Sequence, residues 1–337
     1  MTTIADVAKR AGVSVATVSR TLHHSAKVDP RTRERVLQAA SELEYVASPT
    51  ATSLASGRTR VIAVVAPMMS RWFFASILTA IEQSLREDDY HALLMVLEDQ
   101  PTEGHSRLAP EMFAKRVDGI VWLNVPLSSQ EEDLMRRLAL PMVCVGAPIG
   151  ETPTVMIDDR RAARAGVEHL LALGHRRIAF VGTAVESIAH MSTPAARGDA
   201  FREALIEAGL PVREDWVLDT DWTADAAAAM VEPILRGPDR PTAVLAASDE
   251  MAIGVVGAAR RLGLRIPEDL SLVGIDDHTF AAALGLTTVR QDVPAQGRAA
   301  TSLLLSAIEQ GADHPPATRI ELGTELIVRD TSAPPSS

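Results

Sequence analysis

Thr3-Ile4-Ala5-Asp6-Val7-Ala8-Lys9-Arg10-Ala11-Gly12-Val13-Ser14-Val15-Ala16-Thr17-Val18-Ser19-Arg20 reads as two short helices around a tight turn. Ile4, Val7, Ala8 and Ala11 recur at helical spacing and form one apolar stripe, with Thr3 placed as its cap. Gly12 ends that helix. Ser14 can cap a second one whose Val15 and Val18 face inward, leaving Ala16, Thr17, Ser19 and Arg20 for the outer surface. Asp29 as cap and Pro30 at the first position open a third helix, with Val36, Leu37, Ala40 and Leu43 on its inner face. Three such stripes close a small core. The arrangement is a helix-turn-helix, whose second helix enters the DNA major groove with its N-terminal residues at base edges. A helix pair with glycine in the turn also occurs in enzymes and structural bundles, so the motif alone leaves that alternative open.

Residues 47–57, Ala-Ser-Pro-Thr-Ala-Thr-Ser-Leu-Ala-Ser-Gly, read as a further short helix with Ser48 as cap, Pro49 at the first position and Gly57 at the stop. A helix of that length is marginal by itself. With this stretch in view the chain resembles the LacI/GalR family of bacterial transcription regulators. The likeness is carried by Thr-Ile-Ala-Asp-Val-Ala at 3–8, by Ala-Gly-Val-Ser-Val-Ala-Thr-Val-Ser-Arg at 11–20 and by the hinge from Tyr45 to Leu54, and it runs through essentially the whole chain.

A length of 337 residues points to more than one domain, and 47% hydrophobic with 4% aromatic residues is an ordinary soluble composition. The apolar runs are strand-sized and the N-terminus enters an amphipathic helix directly, so neither a signal peptide nor a membrane span fits, and a cytoplasmic location is expected. Cys144 has no second cysteine for a disulfide or a thiolate zinc site; it reads as a buried strand residue, a reactive thiol being the alternative. Residues 1–60 hold nine Lys or Arg against five acids, a balance of +4, which leaves −15 for the rest of a chain whose formal charge is −11. A basic head on an acidic body confines contact with DNA to the head.

From Val61 apolar runs at 61–66, 91–97, 119–123 and 142–145 alternate with helical stretches near 72–88, 104–116 and 128–139. A second set has runs at 155–158, 177–182, 216–218, 242–246 and 270–276, with helices near 160–173, 197–208, 223–236 and 249–262. This rhythm predicts two α/β lobes with parallel sheets, and ligands of such sheets bind beyond the carboxyl ends of the strands. The resemblance implies the periplasmic-binding-protein-like fold, with the chain crossing between lobes near 158–162, 288–292 and 320–324. The expected fold class is thus α plus α/β: a three-helix head over 1–46, a hinge helix and linker over 47–60, and a two-lobed effector and dimerisation domain over 61–330. Its first lobe would hold about 61–158 and 292–321, its second about 159–290 and 322–330. Residues 331–337 read as a disordered tail with no heptad repeat, so a homodimer without a tetramerising coiled coil is expected.

The resemblance also assigns roles. Val15, Ala16 and Arg20 match the positions that read base edges; the first two can offer only apolar contact, and Arg20 can pair with guanine or, alternatively, hold a phosphate. Thr3, Ser14, Thr17, Ser19, Lys27 and the Tyr45 hydroxyl match phosphate contacts, and His23 a further polar contact or a solvated residue. In the hinge Ala51 and Leu54 match minor-groove contacts, Leu54 as a wedge at the central base step. Ala47-Ser48 and Thr52-Ser53 depart from the family's usual hinge, which puts minor-groove affinity and operator spacing in doubt. Two hinge helices across one groove imply a homodimer on a near-palindromic operator.

For the cleft, Arg197 in Arg-Gly-Asp-Ala-Phe and Asp276 in Val-Gly-Ile-Asp-Asp match effector-binding positions, Ser248 replaces an asparagine, and Trp222 matches a ring-stacking aromatic. Trp72 and Phe73 lie after the first strand, at least one of the aromatics at 72–74 being expected to line the cleft. Asn124 and Gln291 complete a polar set, Gly146 leaves one side less polar, and His190 is either structural or cleft-lining. An acid, an arginine and a stacking tryptophan favour a neutral polyhydroxy ligand, a sugar, over a purine, nucleoside or carboxylate metabolite. Release from DNA by the effector is the expected sign, co-repression the alternative. No Gly-x-Ser-x-Gly elbow, Walker loop or metal-binding histidine pair is present, so no catalytic residue, cofactor or metal is expected. An exported sugar receptor, the other alternative, would share the lobes but has no use for residues 1–57.

Overall fold

The computed structural model describes residues 2–22, 28–45, 57–97, 106–125, 127–182, 192–311 and 317–336. The chain forms two compact units, residues 1–60 and 61–337.

In the first unit, α1 (Ile4–Ala11), α2 (Val15–Leu22) and α3 (Pro30–Glu42) enclose Val7, Ala8, Ala11, Val18, Val36, Ala39 and Ala40. Thr3 and Asp6 cap α1 reciprocally: the Asp6 amide donates to the Thr3 hydroxyl at 3.3 Å and the Thr3 amide to the Asp6 carboxylate at 2.9 Å. These hydrogen bonds hold the Asp6 carboxyl below its ordinary range. Gly12 turns the chain with φ 65°, where a side chain would be strained. Asp29 caps α3 through the Thr32 amide. Arg10 Nε donates to Glu42 at 2.9 Å and links α1 to α3 at the surface. Two residues expected inside are not: Val15 and Leu37 are each 46% exposed. Val15 opens α2 a turn ahead of the buried Val18, and Leu37 lies one residue off the stripe of Val36, Ala39 and Ala40. Thr21 is buried instead, its hydroxyl donating to the Thr17 carbonyl.

The second unit contains two six-stranded sheets. The first joins β1 (Val61–Ala66), β2 (His91–Val96), β3 (Gly119–Leu123), β4 (Met142–Val145), β5 (Thr154–Ile157) and β11 (Arg319–Leu322) in the order β11-β5-β4-β3-β1-β2, all parallel. The second joins β6 (Ile178–Gly182), β7 (Val217–Asp219), β8 (Ala243–Ala246), β9 (Ser271–Asp276), β10 (Thr287–Gln291) and β12 (Thr324–Ile327) in the order β12-β10-β9-β8-β6-β7, with β10 and β12 antiparallel. The central strands are continuous apolar runs because helices cover both faces. The helices of this unit are α4 (Trp72–Glu87), α5 (Ser129–Leu138), α6 (Asp159–Ala172), α7 (Ser192–Glu207), α8 (Ala224–Arg236), α9 (Asp249–Arg261) and α10 (Val293–Gln310). The chain passes between sheets after β5, after β10 and at Gly323, and Asp158 and Asp292 cap the helices that follow the first two passages.

Several expectations need correction. The run at 155–158, grouped by rhythm with the second set, belongs to the first sheet, as a crossing near 158–162 requires: β5 pairs with β4 through Cys144–Thr154 and Val145–Val155, and the passage follows it. The helix expected near 104–116 is, among the described residues, a single turn of tight helix at Pro110–Met112; Phe113 is pulled into the core and Lys115 takes φ 58°. The tail is not disordered through Ser336. Thr331 is buried, its hydroxyl accepting from the Thr287 amide and donating to the Leu272 carbonyl, both at 2.8 Å, and His175 Nε2 meets the Ala333 carbonyl at 2.9 Å. Thr331→Val is therefore expected to cost about 1–3 kcal/mol, because it leaves the buried Thr287 amide unpaired, and a urea midpoint measurement reads the loss directly.

Candidate functional site: reading helix and interlobe cleft

On the head, Ser14 Oγ accepts from the Thr17 amide at 3.1 Å and lies 2.9 Å from the Thr17 hydroxyl, which fixes the start of α2. Thr3, Ser14, Val15, Ala16 and Arg20 are exposed, while Thr17 and Ser19 are half-buried. Among the described residues Arg20 has no ion-pair partner, unlike Arg10 in the preceding helix. Tyr45 is half-buried against the head's core. His23, Lys27, Ala51, Leu54 and His190 lie outside the described residues.

In the body the expected cleft residues gather at the carboxyl ends of strands. Asn124 follows β3 with φ 51°, Gly146 follows β4 with φ 88°, and Asp276 ends β9 with φ 136°. Left-handed backbone at non-glycine residues is costly and collects at functional sites. The Asn124 carboxamide accepts from the Ala147 amide at 3.3 Å and lies against Gly146, so these two act as one patch.

Arg197 is only 3% exposed, and its guanidinium is held in place. Nε and Nη2 donate to Asp159 Oδ1 at 2.9 and 2.8 Å, Nη1 donates to the Ala247 carbonyl, and the group stands 5.6 Å over the Trp222 ring. Arg197 thereby orients Trp222. Gln296 Nε2 donates to Gln291 Oε1 at 2.8 Å, and Gln291 Nε2 to Asp276 at 2.6 Å. Burial pushes the Asp276 carboxyl up to about 7; Arg197 opposes the shift and the Asp249 carboxylate adds to it. Ser248 is buried and its hydroxyl caps α9 by accepting from the Met251 amide at 3.2 Å.

Trp72 reaches the cleft, its ring 5.1 Å from that of His278, whereas Phe73 packs edge-on to Phe74 against the first lobe's core. Sequence reasoning missed Arg71, Asp221, Glu250 and His278. Each sits beside or within two residues of one already singled out, but a single sequence gives no means of pairing Trp72 with Glu250, 178 positions apart. Three donors, Arg71 Nη1, Trp72 Nε1 and Trp222 Nε1, are shielded from solvent and meet no acceptor among the described residues. Such donors cost about 1–3 kcal/mol each unless a ligand supplies one. Among the described residues no cluster of three or more His, Cys, Asp or Glu is placed to hold a metal, and no helix is long and apolar enough to cross a membrane.

Comparison with known proteins matches residues 3–48 to the bacterial regulatory proteins of the lacI family and residues 167–332 to the periplasmic binding protein-like domain. Catabolite control protein A of Priestia megaterium is 34% identical over 307 residues, which cover 90% of this chain and 91% of that one. Among solved structures, the transcriptional regulator CelR–cellobiose complex aligns with a TM-score of 0.72 at 31% identity, covering 98% of this chain and 100% of the other. The lac repressor dimer bound to operator and the anti-inducer ONPF aligns with a TM-score of 0.81 at 27% identity, covering 98% and 99%. With the capped reading helix, the two-sheet body and matches of this extent along the chain, the protein belongs to the lacI family of bacterial transcriptional regulators.

Proposed function

We propose that this regulator is a repressor that binds a near-palindromic operator as a homodimer and is released by a small neutral carbohydrate. Val15, Ala16 and Arg20 would meet base edges, with Thr3, Ser14, Thr17, Ser19 and Tyr45 on phosphates. Its place of action is the cytoplasm, on the nucleoid when operator-bound. The observation that carries the effector reading is the pairing of the buried Asp276 carboxyl with solvent-shielded, unpartnered indole N–H groups on Trp72 and Trp222. A hydroxyl both donates and accepts, so a polyol satisfies the two kinds of group together. Charge supports a neutral ligand: Asp159 already pairs with Arg197, and Arg71 is faced by Glu250 and Asp221, so neither arginine is left to balance an added anion. The CelR–cellobiose complex supports the same class. The effector would act by preferring one lobe arrangement, with ~1–3 kcal/mol of coupling to DNA affinity.

The test is a fluorescence titration of the four tryptophans against sugars, purines, nucleosides and acidic metabolites, with Trp222→Ala alongside. A sugar-dependent signal, weakened about tenfold or more in the variant, is expected. Response to a purine or an acid alone refutes the carbohydrate assignment.

A further inference from the structure

We infer that Glu250 is a built-in clasp between the lobes: it caps α4 from across the cleft and so helps to set the lobe balance on which the effector acts. The regulatory meaning rests on the effector reading above; the clasp itself rests on geometry.

Helix α4 begins without a cap of its own. Arg71 occupies the N-cap position and makes no side-chain hydrogen bond to the first turn. The first amides of a helix lack partners within it, and its dipole favours an anion there. The acceptor comes from the other lobe, where Glu250 stands in the first turn of α9; its Oε1 accepts from the Trp72 amide at 3.4 Å. Arg71 is near enough to Glu250 for each charge to act on the other: burial lowers the Arg71 pKa and raises that of Glu250, and their mutual attraction opposes both shifts.

Trp72 is held a second time, by the His278 ring at 5.1 Å and 42°. His278 is mounted firmly on the second lobe. Its amide donates to Asp249 Oδ2 at 2.8 Å, and Asp249 Oδ1 accepts from the Thr288 hydroxyl at 2.7 Å. One residue of the first lobe is thus gripped at backbone and side chain by two residues of the second. The grip lies beside the unpartnered donors Arg71 Nη1 and Trp72 Nε1, so a ligand group reaching α4 meets the Glu250 carboxylate already in place.

The experiment measures lobe separation in the full-length chain with no sugar present. Spin labels go on Gln83→Cys in α4 and Ala208→Cys just after α7, both exposed, with unlabelled chain in excess to suppress signals between subunits. Cys144 is buried with its thiol pushed up to about 12, so it does not take label. Glu250→Ala is expected to shift the distance distribution to longer values and to speed amide exchange in the first turn of α4 about tenfold; Glu250→Gln, which keeps an acceptor, gives a smaller change. Trp72→Ala removes the ring contact with His278 but keeps the amide that Glu250 accepts from, so it lengthens the distances while leaving exchange in the first turn of α4 near wild type, and combining it with Glu250→Ala lengthens them further. Glu232→Ala, whose partners Arg236 and Arg261 are in its own lobe, leaves both readings unchanged. A folded Glu250→Ala protein with wild-type distances and wild-type α4 exchange overturns the clasp. Because no ligand enters the measurement, a failed carbohydrate assignment would leave this result standing.

Discussion

Asp276→Asn is expected to weaken effector binding by about ten- to a hundredfold without lowering the melting temperature. The carboxylate accepts hydroxyl donors, and a hydrogen bond to a charged group is worth about 1.5–3 kcal/mol, so losing one gives that range. Asparagine keeps an oxygen for Gln291 Nε2, which now bonds Asp276 at 2.6 Å, and removes a buried charge. A residue serving only the fold would behave in the opposite way. The pH dependence follows from the same burial, which raises the carboxyl from 3.8 to about 7. Between these values the folded chain binds more protons than the unfolded one, so this group's contribution to stability is fully present below about 3.8 and lost as pH rises through about 7. Asp249, raised to about 6 by burial, acts in the same direction. Effector affinity runs the other way, falling as pH drops from 8 to 6, and Asp276→Asn removes that slope. Calorimetric titration at three pH values with the wild type and the variant reads both effects.

Gly254→Ala is expected to destabilise the second lobe by about 2–4 kcal/mol. Helix propensity alone predicts a gain of about 1 kcal/mol. Packing overrides it, because a Cβ at Gly254 would lie 2.1 Å from the Ala224 carbonyl oxygen and 2.8 Å from its carbon. Those are backbone atoms at the start of α8, and no rotamer change moves them away. Gly257 in the same helix is the control: its Cβ would meet only the mobile end of Arg261 at 3.6 Å. Gly257→Ala should therefore stabilise by a few tenths to 1 kcal/mol. Urea denaturation of both variants separates propensity from packing, and equal signs would mean that α8 and α9 do not approach as closely as described.

The contrast between these glycines shows what a sequence can carry. The head was legible because its signals are local: Thr3 and Asp6 cap each other, Gly12 turns the chain and the apolar stripe runs over the eight residues of α1. The α/β body was legible because buried parallel strands are unbroken apolar runs, as in Val61–Ala66. The strands β10, β11 and β12 were not anticipated, since Arg290, Glu321 and Glu325 interrupt them with exposed charge. The ordered tail escaped notice for a similar reason. Thr331, Ser332 and Ala333 have the composition of a loop, and only the partners waiting at Leu272, Thr287 and His175 make them part of a lobe. In the cleft, Arg197, Trp222 and Asp276 could be picked out by motif, but Arg197 spends its hydrogen bonds on Asp159 and Ala247, which no motif states. Arg71, Glu250 and His278 matter only through one another.

The most direct test of the regulator reading is selection of binding sites from a random duplex library by the full-length chain, wild type and Arg20→Ala in parallel. The expected result is a two-fold symmetric site in which the variant loses ~1–3 kcal/mol of discrimination at one G·C pair in each half and keeps the rest. Absence of any enriched site, or an enriched site that lacks symmetry and is read equally well by Arg20→Ala, would contradict a dimer that reads its operator through α2.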